Sequence, residues 1–407
     1  MSLSLLQRIF SIIRVNRMQK CIIFLGLKFY YYSFCGLFET IKAMIAQNQI
    51  NLSRYIKSKS IVVFIEILPY RMCGGQMSLF TLCKYSKEIF REDIPVVMCT
   101  MPGNDTYFHN DWFDNDIDIL RWAQIRKIIQ NKDRVILHIP EVCLFLPEVQ
   151  KEFFYLRLKN KDFEVFKTIN NMHINILNQN IELMPDSNIL DKLKSITTNI
   201  TQSVAHSRYC TQEVADKWKF PVTLFSGFIE LPRVKRINLA KKEYLILFSA
   251  DLPPQGLRFK EYLITKLQRE LPEYTIERIY GVKFENYAKL VAKASFVISF
   301  GEGFDGYFNN SALLGTVGFS VYNEDFFPDP KWKNYPNVYT NFNEMLEKIV
   351  DDIKRLQRNE EEYYAIVRKH ETELMKLYSK EKTIEKLKQF YSGIYDYYPI
   401  KGGVNEN

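Results

Sequence analysis

The stretch SFVISFGEGFDGYFNNSALLGTVGFSVYN, residues 295–323, decides the fold. Its first part, 295–301, is an apolar run of the kind that forms a buried parallel strand. The run ends in a tight turn carrying Gly301, Gly303 and Gly306, and a helix is expected to start near Tyr307 or Phe308 and run to about 314. VGFSVYN, 317–323, then reads as the next strand. Strand, glycine turn, helix and strand make a βαβ unit. Glycines at such a turn let backbone N–H groups approach an anion, and the helix N-terminus adds its dipole. Glu302 lies on the turn, beyond the strand's carboxyl end, where a carboxylate can accept hydrogen bonds from sugar or ribose hydroxyls.

The same alternation extends in both directions. IVVFIEIL (61–68) reads as a buried strand, and Gly74 and Gly75 mark the turn before a helix over 76–90. Further strands are expected at 94–100, 134–140, 174–181, 201–207 and 221–229. Helices are expected at 118–130, 145–163, 186–195 and 210–218. A basic segment without apolar pattern, 232–243, reads as a linker. A second run follows it, with strands at 244–250 and 274–280, helices at 258–270 and 284–293, and a short strand at 337–340. A long polar helical region covers 342–391. Apolar strands alternating with helices imply open parallel sheets covered on both faces. The chain divides into an N-terminal extension (1–57), an α/β domain (58–235), a second α/β domain (236–340), C-terminal helices (341–398) and a tail (399–407) expected to be disordered. Ligands of such folds bind in the crevice beyond the strands' carboxyl ends.

The 407 residues carry a net charge of +8. Residues 1–60 hold nine basic residues and one acid, Glu39, while the remaining 46 basic and 46 acidic residues cancel. A body without net charge argues against nucleic acid as the main partner. The basic, apolar N-terminal segment is expected to lie on the anionic inner face of the cytoplasmic membrane. Residues 21–38 are the nearest thing to a transmembrane span, but they include Lys28 and are short for the purpose. The seven cysteines are scattered, as expected for buried thiols in a reducing compartment, and no cleavable signal peptide is convincing.

The 295–323 stretch resembles the donor site of GT-B glycosyltransferases, in which Glu-Gly-Phe-Gly precedes a second glutamate and a small-residue helix ending in Gly-Thr-Pro-Val. Glu302-Gly303-Phe304 matches the start, and Gly315-Thr316 matches the end at the same distance. Asn310 stands where the second glutamate would, and Val317 replaces the proline. The phrase FGEGFDGYF also resembles a narrower group from bacterial capsule and lipopolysaccharide clusters, over residues 61–390. The resemblance implies an α/β GT-B architecture of two Rossmann-like domains facing each other across a cleft. It implies a metal-independent glycosyltransferase, without cofactor, that moves a sugar from a nucleotide-sugar donor to a glycan or lipid-linked acceptor. A sugar epimerase or phosphorylase of similar fold and a catalytically silent nucleotide-sugar-binding scaffold are the competing readings.

The resemblance also suggests roles for particular residues. Glu302 would act in catalysis, and Gly301, Gly303, Phe304, Asp305, Gly306 and Asn310 would bind the donor. Arg258 and Lys260, after the first strand of the second domain, would grip the diphosphate, as a metal-free site requires. His138 ends the strand RVILHIP and is a candidate for taking the acceptor's proton. Gly74, Gly75, Glu141 and His206 would line the acceptor side of the cleft. Asp114, Asp116 and Asp118 form Asp-x-Asp pairs, but acids before a helix chiefly favour its dipole, and no metal site is expected.

Overall fold

The structure is a computed structural model. It describes residues 10–14, 19–24, 27–32, 41, 45 and 50–400, except 51, 67–73, 101, 103–109, 111, 114, 145–157, 159, 180–183 and 186.

Near the N-terminus, β1 (Phe10–Arg14), β2 (Gln19–Phe24) and β3 (Leu27–Tyr32) form an antiparallel sheet, β2 in the middle. The stretch considered as a membrane span therefore contains β3 and part of β2, not one continuous helix. Among the described residues no helix is long and apolar enough to cross a membrane.

The first α/β domain has a seven-stranded, wholly parallel sheet in the order β10-β9-β8-β7-β4-β5-β6. Its strands are β4 (Ser60–Ile65), β5 (Val96–Cys99), β6 (Ile119–Leu120), β7 (Arg134–Pro140), β8 (Asn171–Asn178), β9 (Ile200–Val204) and β10 (Val222–Leu224). α1 (Ser53–Lys57) leads into it. One face carries Val63, Val135, Leu137 and Ile174, which pack against α3 (Trp122–Ile129), α4 (Asn160–Lys167) and α5 (Ser187–Lys194). α6 (Gln212–Trp218) precedes β10. The helix expected over 145–163 falls largely outside the described residues, and α4 extends past its end. The other face carries Val62, Phe64 and Ile136 beneath α2 (Gly74–Phe90).

The second domain has a five-stranded parallel sheet in the order β12-β11-β13-β14-β15. Its strands are β11 (Glu243–Phe248), β12 (Thr275–Arg278), β13 (Ala294–Ile298), β14 (Val317–Val321) and β15 (Val338–Tyr339). α7 (Leu257–Glu270), α8 (Phe284–Lys293) and α9 (Gly306–Leu313) connect them. The helical region is three helices, α10 (Phe342–Arg358), α11 (Glu360–Leu377) and α12 (Lys380–Tyr391). Asn359 and Ser379 cap α11 and α12 with side-chain oxygens, which is why the polar run breaks there.

α12 leaves the second domain and packs on the first. Leu387 and Phe390 are fully buried with Val62, Phe64 and Leu79. They cover a sheet face that is unusually polar at its centre. Thr201 donates to Asn175 Oδ1, so its oxygen accepts from His173 Nε2. Asn175 Nδ2 donates to Ser203 Oγ at 3.0 Å and to His138 Nδ1 at 3.1 Å. His138 Nε2 must then carry the proton and donate to the Tyr391 hydroxyl at 3.1 Å. Tyr391 bonds to Ser86 Oγ, which donates to the Leu82 carbonyl. Beyond α12, Tyr397 N–H donates to Val222 and Asp396 accepts from the Leu224 N–H. The Ile400 N–H donates to Asp216, so the expected disordered tail is held at its first residues, and 401–407 lie outside the described residues.

Phe390→Ala removes the ring that closes this face. It is expected to cost about 3–5 kcal/mol of stability, the usual range for a buried Phe truncation. Urea denaturation followed by circular dichroism measures it, and a loss below about 1 kcal/mol would mean that α12 is not docked on the sheet.

Candidate functional site

The two domains meet through segments that follow strand ends, among them the residues after β9, β12 and β14. Met77, in the first turns of α2, packs into the second domain beside Leu247, Tyr287, Val297 and Leu314. The Phe284 N–H donates to the Trp112 carbonyl at 2.8 Å. At another edge His206 meets the Phe326 ring edge-on, and Arg208 pairs with Asp325 at 3.2 Å. His206 thus lies at a domain contact, and its partial burial lowers its pKa below the ordinary histidine value.

On the second-domain side, the turn after β13 has the conformation its glycines predict. Gly301 and Gly303 have φ of +84° and +82°. A Cβ on Gly303 would lie 2.4 Å from the Val321 carbonyl oxygen, so this glycine is required by packing on β14. Phe304 faces inward against Phe327 and Trp332, which places it in the core and corrects its assignment to the donor.

Asp305 also has a different role from the one expected. It is the N-cap of α9, and its Oδ1 accepts from the Tyr307 and Phe308 N–H groups at 2.8 and 3.0 Å. Its Oδ2 accepts from the Ser299 hydroxyl. Two of the first-turn N–H groups that could have held a phosphate, those of Tyr307 and Phe308, are thus occupied by the chain's own carboxylate. Burial, opposed by these bonds, leaves the Asp305 pKa raised to about 6. Asn310 is nearly buried in α9, near the Tyr287 hydroxyl, which donates to the Gly306 carbonyl at 3.1 Å.

Glu302 remains at the mouth of the crevice. Water reaches it, yet enough protein surrounds it that desolvation, then the charges of Asp305 and Asp251, push its pKa up to about 7.

The two expected diphosphate cations separate. Lys260 is buried between the Phe248 and Phe300 rings, and its ammonium donates to the carbonyls of Ser249 and Asp251, both at 2.6 Å. It holds the loop after β11 and is not a diphosphate ligand; burial lowers its pKa to about 8. Arg258 is exposed in the first turn of α7 and has no ion pair among the described residues. Arg278, which the sequence did not single out, ends β12 beside β11 and stacks on the exposed Tyr280 ring at 4.9 Å. It pairs across the sheet with Phe248, the last residue of β11, and so lies at the carboxyl end of that strand pair.

On the first-domain side, His138 is corrected. It is fully buried, stacked on Phe64 at 4.1 Å, and both ring nitrogens are hydrogen-bonded. Burial holds its pKa well below the histidine value. It is a core residue with no access to a substrate. The residues at the strand ends are Glu66, Glu141 and Gln179. Gln76 donates to Glu66 at 2.8 Å, and Gln179 reaches Glu141 through its N–H and Gly75 through its amide. A Cβ on Gly75 would strike Gln179, whereas one on Gly74 would meet none of the described residues within 4 Å. Asp114 lies outside the described residues; Asp116 and Asp118 are exposed. No group of three or more His, Cys, Asp or Glu that could hold a metal occurs among the described residues.

No protein family and no curated protein sequence matches this chain. Solved structures do. An α-glucosyltransferase in complex with UDP-glucose and DNA containing an abasic site has a TM-score of 0.52 at 10% identity, over 82% of this chain and 100% of its own. An α-glucosyltransferase in complex with UDP and a 13-mer DNA containing a HMU base has a TM-score of 0.53 at 10% identity, over 82% and 99%. Sucrose-phosphate synthase from Thermosynechococcus elongatus covers 82% and 98% at 10% identity with a TM-score of 0.47. The two sheets, their helices and the likeness to the glucosyltransferases define the class: this is a two-domain α/β protein with the GT-B fold.

The raised carboxyl of Glu302 sets a pH dependence. The folded state keeps a proton that the unfolded chain releases near pH 4.5, so this group favours folding in acid. Its contribution turns unfavourable as pH rises from about 4.5 to 7. Relative to Glu302→Gln, the wild type is expected to lose melting temperature as pH is raised from 5 to 8. Parallel melting curves for the two proteins would show instead that Glu302 titrates normally.

Proposed function

We propose that the chain is a glycosyltransferase that takes a hexosyl group from a nucleotide sugar bound at 244–330 and passes it to a glycan or lipid-linked acceptor held by 61–230. The observation that carries this reading is the glycine turn beyond β13, which holds Glu302 exposed at the strand's end, while Arg258 and Arg278, on elements that follow and flank β11, make no ion pair among the described residues. Glu302 accepts hydrogen bonds from sugar hydroxyls, and the arginines neutralise the leaving diphosphate without a metal. The similar glucosyltransferase structures contain UDP-glucose or UDP, which favours a uridine nucleotide as donor.

Those structures also contain DNA. A glycan acceptor is favoured here because the chain outside residues 1–60 carries no net charge, whereas DNA binding requires a basic surface. The basic N-terminal segment instead fits a peripheral place on an anionic inner membrane, and with it a role in bacterial surface polysaccharide synthesis.

With UDP-glucose and related donors, full-length protein is expected to release UDP and to stay active in EDTA. Glu302→Gln should lower turnover roughly 10²-fold, and Arg278→Ala should weaken UDP binding about tenfold or more. Wild-type turnover in well-folded Glu302→Gln would remove the donor-site assignment. Free-sugar interconversion without transfer would favour an epimerase, and UDP-sugar binding by calorimetry without turnover would favour a silent scaffold.

Full-length protein is also expected to co-sediment with anionic vesicles and to be released as salt rises, because each basic residue near such a surface contributes about 1 kcal/mol. Retention on duplex DNA but not on vesicles would shift the acceptor towards nucleic acid.

A further inference from the structure

A cavity of about 560 Å³ opens where the two domains and their connecting segment meet. Its floor is apolar, built from Met77 and Phe80 of α2, Ile117, Leu231 and Phe284 at the start of α8. Its rim is polar, with Thr81, Asn115, Asp116, Arg233 and Glu285, and with the Lys84–Glu230 pair at 2.7 Å. None of the turn residues 301–310 lines it, so it is separate from the donor crevice.

The charges narrow the choice of ligand. Among the described lining residues, Lys84 and Arg233 face three carboxylates, Asp116, Glu230 and Glu285, leaving one negative charge in excess. That balance disfavours a phosphate and hence a nucleotide. The rim still offers both donors and acceptors, and Asp116 and Arg233 are exposed and make no ion pair among the described residues. The Asn115 amide and the Thr81 O–H are spent on backbone groups, so the Arg233 guanidinium and the Asp116 carboxylate are the donor and acceptor offered, and with the apolar floor they match a pyranose, which presents a C–H face and hydroxyls that both donate and accept. The volume is within the roughly 300–1,000 Å³ of small-molecule sites.

We propose that this cavity is a neutral-saccharide site, distinct from the donor crevice, whose occupant touches the first domain, the connecting segment and the second domain together. The proposal rests on the sugar-transfer reading above only for its biological sense; its chemistry is that of the cavity itself. An occupant would restrain the domains where the Phe284 N–H already meets the Trp112 carbonyl.

The test uses full-length protein and saturation-transfer NMR with maltose, cellobiose, lactose and N,N′-diacetylchitobiose, alongside UDP binding by calorimetry. At least one disaccharide is expected to bind. Asp116→Ala and Arg233→Ala are each expected to weaken it about tenfold or more, a loss of about 1.4 kcal/mol. UDP affinity should stay within about twofold, which also shows that the variants are folded. No binding by any of the four sugars, or binding unchanged in both variants, overturns the proposal. Failure of Arg278→Ala to weaken UDP would count against the donor site and leave this one standing.

Discussion

The structure depends on one docking event: Phe390 and Tyr391 of α12, at the end of the chain, close the polar face of the first domain's sheet. His138, His173, Asn175, Thr201 and Ser203 form a connected network on that face. A buried polar network left half-satisfied costs more than an apolar one, because each orphaned group keeps its desolvation penalty. Tyr391 supplies the acceptor that His138 needs, and Phe390 excludes water by stacking on His173. The residues that return from the second domain are thus part of the first domain's core. Domain arrangement and first-domain stability are linked through this helix.

A second constraint acts at the turn after β13. Gly303 lets the chain lie against the Val321 carbonyl, and Asp305 closes α9 on itself. The turn is rigid before any ligand arrives, which suits a site that must hold a carboxylate in place. Its cost is the crowding of Glu302, Asp305 and Asp251, which raises the Glu302 pKa. The α9 N-terminus is capped by the chain's own Asp305, whereas Arg258 and Arg278 make no ion pair among the described residues.

The fold was legible because its signals are local. Apolar β-branched runs such as RVILHIP and SFVIS, glycines at strand ends, and amphipathic helices such as 284–293 record backbone geometry directly, and each forms close to where its pattern places it. A weaker boundary lies at the carboxyl end of β13, where the expected strand 295–301 runs past Ile298 into the glycine turn. The stretch 21–38, disfavoured as a span because of Lys28 and its length, contributes strands to a hairpin, which an apolar run with a central lysine suits as well.

The site was less legible, for reasons that differ by residue. The glycine turn and the position of Glu302 could be placed because they follow from chain direction and the strand's end. His138, Lys260 and Asp305 have the side chains a site would use, but what each does depends on atoms distant in sequence or on loop shape. Tyr391 and Asn175 consume the histidine, two backbone carbonyls consume the lysine, and the N–H groups of α9 consume the aspartate. Arg278 has no motif around it and is marked only by lying at the end of a strand adjacent to β11. By itself the sequence determined the alternation of strands and helices, the two parallel sheets and the turn that carries Glu302, because these follow from periodicity and glycine chemistry. Only the tertiary structure decided which polar groups are spent on the core and which still face the crevice, because hydrogen-bond satisfaction depends on partners brought together across the whole chain.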